Sequence, residues 1–104
     1  MKQAAHAVIL ATFLLPLLPV AAAQAGPIDR ACNASPRKQK SISLCACIQR
    51  VADASLTRRE QRQAARFFSD PHRAQETRQS DRPGDELFWK RYRAFGDLAE
   101  RTCR

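Results

Sequence analysis

Two of the four cysteines of this chain, Cys45 and Cys47, stand one residue apart, while Cys32 and Cys103 lie towards either end of the chain beyond its N-terminal segment. The close pair sits in the run Leu44-Cys45-Ala46-Cys47-Ile48-Gln49-Arg50-Val51-Ala52-Asp53. Leu44, Ile48, Val51, Ala52 and the nearby Ser55 recur at helical spacing. At ~100° per residue, Cys45 falls on one edge of that apolar stripe and Cys47 on the other. The two thiols then face nearly opposite ways and cannot bond to each other, so each needs a partner from elsewhere in the chain. The pairings are Cys32–Cys45 with Cys47–Cys103, or Cys32–Cys47 with Cys45–Cys103, and spacing leaves both open. Either one ties the middle of the chain to both ends.

Four structural disulfide partners imply an oxidising compartment, and the N-terminus carries the pattern of an export signal. Lys2 supplies the positive charge and Ala7 to Val20 the apolar core. Ala21-Ala22-Ala23-Gln24-Ala25 offers small residues at the spacing of a cleavage site. Cleavage after Ala25 leaves Gly26 first, and cleavage after Ala23 is the alternative. The apolar run is shorter than the ~20 residues that span a bilayer, and Pro16 and Pro19 interrupt it. The expectation is a signal peptide over residues 1–25 and a single helical domain over 26–104. No transmembrane segment then remains after cleavage, and the protein is periplasmic or extracellular. A domain of 79 residues has a thin core. A disulfide adds ~2–4 kcal/mol, a large share of the stability such a domain can have.

Gly26 to Ser35 shows no useful periodicity. Ser35-Pro36 reads as a helix start, with serine as cap and proline in the first turn. The first helix is expected from Pro36 to Asp53. Thr57-Arg58-Arg59-Glu60 is a capping box that opens a second helix, with Gln61, Ala64, Ala65 and Phe68 on one face. Ser69-Asp70-Pro71 ends it. The polar stretch from Pro71 to Ser80 is a short surface helix or an ordered loop, and Asp81-Arg82-Pro83-Gly84 breaks the pattern. A last helix runs from Asp85 to Thr102. Its stripe is Phe88, Tyr92, Phe95 and Ala99, flanked by Leu98 on one side and by Trp89 and Cys103 on the other. Glu86–Lys90, Arg93–Asp97 and Asp97–Arg101 are spaced as pairs on a solvated outer face. No strand-like alternation occurs after the signal. The fold class expected is all-α: a small bundle of three to four helices braced by two disulfides.

Function is less legible. A reactive dithiol favours CxxC spacing at a helix N-terminus, whereas Cys45 and Cys47 lie mid-helix between Leu44 and Ile48. A four-cysteine zinc site needs paired ligands at both ends, and Cys32 and Cys103 stand alone. Cys32, Cys45, Cys47 and Cys103 are therefore read as disulfide partners, with no metal and no cofactor. His72, the one histidine after the signal, comes directly after Pro71 at a helix start and lacks a nucleophile and an orienting group. No catalytic residue is assigned, and no enzyme motif is present.

Charge gives the remaining lead. Residues 26–104 hold ten acids against seventeen bases, a formal +7, and fourteen of those bases are arginine. Arg58, Arg59, Arg62 and Arg66, together with Arg73 further on, form a candidate binding face for an anionic envelope component or an acidic protein. Nucleic acid is not expected, because no recognition motif accompanies the arginines and the aromatic residues sit in the expected core.

The cysteine run through Asp53, Ala64-Ala65-Arg66-Phe67-Phe68-Ser69-Asp70-Pro71-His72 and Phe88-Trp89-Lys90-Arg91-Tyr92-Arg93 together resemble a group of small exported alphaproteobacterial proteins of unknown function that carry a CxC helix. The resemblance spans most of residues 26–104 and implies no catalytic residue. The expected function is a non-enzymatic binding or structural role in the cell envelope. The alternatives are a thiol redox or metal accessory protein using Cys45 and Cys47, or a small secreted inhibitor or effector.

Overall fold

A computed structural model describes residues 10–14, 16 and 25–104. Of the expected signal peptide, residues 1–25, only 10–14, 16 and 25 are among the described residues. The described residues of its apolar run, 10–14 and 16, are all exposed, among them the large apolar Leu10, Phe13 and Leu14. Among the described residues there are five helices and no strand: α1 Pro27–Ala34, α2 Ile42–Ser55, α3 Arg58–Ser69, α4 Pro71–Gln79 and α5 Pro83–Thr102. The all-α architecture stands, with five helices in place of three or four. None of them is long and apolar enough to cross a membrane.

The additional helix is α1, in a stretch without a readable stripe. Pro27 occupies its first turn and Asp29 places a carboxylate at its positive end. Only Ile28 and Cys32, four residues apart, are buried in it. Ser35 is therefore not the start of a helix. It ends α1, and its hydroxyl donates back to the Cys32 carbonyl at 2.8 Å. Residues 36–41 are a connection, closed by the Lys40 ammonium, which donates to the carbonyls of Asn33 and Ser35. The next helix begins six residues later than expected, at Ile42. Ser41 caps it by accepting from the Leu44 N–H at 3.0 Å.

The capping box of α3 forms as the sequence requires. The Thr57 hydroxyl accepts from the Glu60 N–H at 3.2 Å, and the Glu60 carboxylate accepts from the Thr57 N–H at 2.9 Å. The polar stretch after Pro71 is the helical alternative, α4. It buries no residue and bridges α3 and α5. Asp70 precedes it but makes no side-chain cap. Pro83 starts α5 rather than breaking the pattern, because the first turn of a helix tolerates proline.

α1 packs on α2 and α3, and α2 packs on α5. The core is Ile28, Val51, Ala52, Leu56, Ala64, Phe67, Phe88, Phe95 and Ala99. α3 and α5 meet through aromatic rings: Phe67 lies 5.9 Å from Phe88 and 5.1 Å from Tyr92, edge-on to the latter. Trp89 is half-buried against this core and its ring centroid lies 5.4 Å from that of Tyr92. Leu98, on the other flank of α5, is exposed.

Cys32 bonds to Cys45, and Cys47 bonds to Cys103, with Cα separations of 5.6 and 5.8 Å. The first bond joins α1 to α2, and the second joins α2 to the C-terminal end of α5. No cysteine is free. The buried face of α2 is Cys45, Gln49, Val51 and Ala52, turned towards the Cys45 edge relative to the stripe of Leu44, Ile48 and Ser55. α1 is the reason, because it covers that edge.

Candidate functional site

The arginine face is built by α3. Taking 100° per residue, Arg59, Arg62 and Arg66 fall within an arc of ~60° and span ~10 Å along the axis. The buried residues Gln61, Ala64 and Phe67 occupy the opposite side. Arg58, Arg59, Arg62 and Arg66 are all exposed, and among the described residues none has an ion-pair partner.

Glu60 is the one acid of α3, and it is turned away from these arginines. Its carboxylate pairs with Arg91 of α5 at 2.7 Å, with the glutamate side chain only 17% exposed. Partial burial pushes the Glu60 carboxyl up. The hydrogen bonds from Thr57 and the nearby Arg91 guanidinium together outweigh that effect and hold it below the ordinary value. The one acid of α3 is thus committed to the α3–α5 contact.

The structure groups the five candidate arginines unevenly. Arg73, on α4, is exposed and pairs with Asp70 at 3.3 Å. Arg66 and Arg73 meet at the α3–α4 corner, where they line one open cleft of about 460 Å³ with Ser69 and Asp70. Arg58, Arg59 and Arg62 lie outside it, towards the start of α3. The arrangement is a strip of positive charge with a corner cleft at its C-terminal end. Arg37, from the connection before α2, lies apart from this strip, 5.9 Å over the Phe68 ring on the other side of α3.

The cysteines do not form a dithiol. Cys45 and Cys47 belong to different disulfides on different edges of α2. Among the described residues no cluster of histidine, cysteine or carboxylate side chains is suited to a metal ion. His72 is exposed and lies 3.1 Å from Glu76, one turn on.

Two features with structural consequences escape a reading of the sequence. One is the Glu60–Arg91 pair, which joins residues of two helices. The other is a polar cluster beneath α1. Gln49 Nε2 donates to Asp53 Oδ1 and to Gln61 Oε1, both at 2.8 Å. Gln61 Nε2 donates to Asp53 Oδ1 at 3.1 Å. Gln49 Oε1 accepts from the Asp29 N–H at 2.9 Å and so caps α1 from a different helix. The available signal was Gln61 itself, a polar residue within the apolar face of α3. Comparison with known proteins finds no matching family, no matching curated protein and no matching solved structure.

Proposed function

We propose that this is an exported, non-enzymatic protein that binds an anionic surface of the cell envelope through the arginine face of α3. The observation that carries the reading is the absence, among the described residues, of any ion-pair partner for Arg58, Arg59, Arg62 and Arg66, while the acid of their own helix is held by Arg91. Guanidinium groups keep their charge at any physiological pH and match phosphate and carboxylate in geometry. Four of them on one helix make a footprint for a surface rather than a pocket for one small anion. Arg66 and Arg73 at the corner cleft extend it. The two disulfides fit an oxidising compartment such as the periplasm or the extracellular space. The exposed Leu10, Phe13 and Leu14 suit a leader that does not belong to the folded domain.

The test is binding of residues 26–104, with both disulfides formed, to vesicles containing anionic lipid or lipopolysaccharide. Each basic side chain near such a surface contributes about 1 kcal/mol, so an Arg59→Ala, Arg62→Ala, Arg66→Ala variant should bind about a hundredfold more weakly. Raising the salt should weaken the wild type steeply, because the screening length falls from ~10 Å at 0.1 M to ~3 Å at 1 M. A triple variant that keeps its helical circular dichroism and binds as well as the wild type sinks the proposal.

A further inference from the structure

The two disulfides differ in their access to solvent. Cys45 is fully buried and Cys32 is 4% exposed, so the bond between α1 and α2 is sealed within the fold. Cys47 and Cys103 are both partly exposed. Their bond lines an open cleft of about 290 Å³, where the N-terminal part of α2 meets the C-terminal end of α5. Ser41, Ser43 and Thr102 bring hydroxyls to that cleft, Leu44 an apolar side chain, and Arg104 a cation.

Thiol–disulfide exchange requires a thiolate to reach one sulfur, and its rate depends on access and on how well the departing sulfur carries negative charge. A nearby cation favours the thiolate. The open cleft gives Cys47–Cys103 that access and carries Arg104 in its lining, whereas Cys32–Cys45 is sealed from any attacking thiolate. Opening Cys47–Cys103 removes the covalent tie between α2 and the C-terminal end of α5 but leaves Phe88 and Phe95 in the core and the α1–α2 bond intact.

We propose that Cys47–Cys103 is a selective thiol–disulfide exchange site for a dithiol reductant, and that Cys32–Cys45 is inert under the same conditions. One thiolate of the dithiol attacks the sulfur of Cys47 or Cys103, forming a mixed disulfide and expelling the other cysteine as thiolate. The second thiol of the reductant then displaces the protein cysteine. The reductant loses two electrons and becomes a disulfide, while Cys47 and Cys103 gain them and take up two protons. The exchange is independent of the arginine face and does not rest on anion binding.

The test uses the folded, fully oxidised protein and limiting dithiothreitol without denaturant. Samples are quenched with acid and alkylated at intervals. Peptide mass mapping then tracks each site, with fragmentation to separate Cys45 from Cys47. Cys47 and Cys103 should become labelled at least tenfold faster than Cys32 and Cys45, giving a two-thiol species that keeps its helical circular dichroism. Labelling of all four at one rate, labelling of Cys32 and Cys45 first, loss of helicity with the first bond, or no reduction until denaturant is added would each overturn the proposal.

Discussion

Gln61 is 2% exposed, yet both of its side-chain polar atoms are engaged: Oε1 accepts from Gln49, and Nε2 donates to Asp53 and to the Leu56 carbonyl at 3.4 Å. No buried side-chain polar atom among the described residues lacks a partner. A buried polar group without a hydrogen bond costs about 1–3 kcal/mol, so this cluster is stabilising only while complete. Gln61→Ala should therefore lower stability by about 2 kcal/mol, seen as a lower urea midpoint at unchanged slope. A Cβ at position 26 would run into the end of the Gln49 side chain, so any residue larger than Gly26 must displace that member of the cluster. Glu60 adds a pH dependence. Its folded-state carboxyl lies below the ordinary 4.5, so the unfolded chain binds a proton more readily. The stabilisation is complete above the ordinary value and is lost as the pH falls through the folded one. Glu60→Gln should cost about 0.5–1 kcal/mol at neutral pH, the upper part of the range for an ion pair whose arginine stands at the surface. Thermal melts of variant and wild type should converge as the pH drops well below 4.5.

At the scale of the element, the helices divide by what holds them. α3 and α5 carry their instructions locally, in a capping box and in an aromatic stripe. Thr57→Ala leaves the Glu60 N–H without its partner and should cost about 1 kcal/mol, measured as a lower melting temperature. α1 is different. Eight residues are too few for a stable helix alone, and α1 depends on Ile28 in the core, Gln49 at its N-terminus and Cys32 bonded to Cys45. Its sequence lacks a stripe because two buried residues are enough when the neighbours supply the rest. The same neighbours rotated the buried face of α2. Leu44, Ile48 and Ser55 define a correct helix, but they do not reveal that a second helix would cover Cys45 and Gln49.

For the whole molecule the disulfides set the scale of stability. They join positions 13 and 56 residues apart, and closing such loops in the unfolded chain is worth about 3 and about 4 kcal/mol in the chain-entropy account. A Cys47→Ala, Cys103→Ala variant should lose about 4 kcal/mol in urea unfolding, leaving a folded but marginal domain held by the core and Cys32–Cys45. The arginine face has its meaning at this scale too. Arg59, Arg62 and Arg66 could be placed on one side of a helix from their spacing. That they remain without carboxylate partners among the described residues is settled only in the folded chain, where Glu60, the one acid of α3, pairs with Arg91, 31 positions further along.

The order of residues decided the helical class, the start of α3 at its capping box, the stripe of α5 and the rule that Cys45 and Cys47 must seek separate partners. Each arises from interactions within a turn or two of helix. The disulfide pairing could not be decided that way. Moving the partner of Cys32 from Cys45 to Cys47 lengthens the loop by two residues, which changes its closure entropy by only ~0.1 kcal/mol. Tertiary packing made the choice. α1 lies over the Cys45 edge of α2 and brings Cys32 there, while α5 runs along the other edge and ends with Cys103 beside Cys47. That packing also buries one bond and leaves the other at the surface.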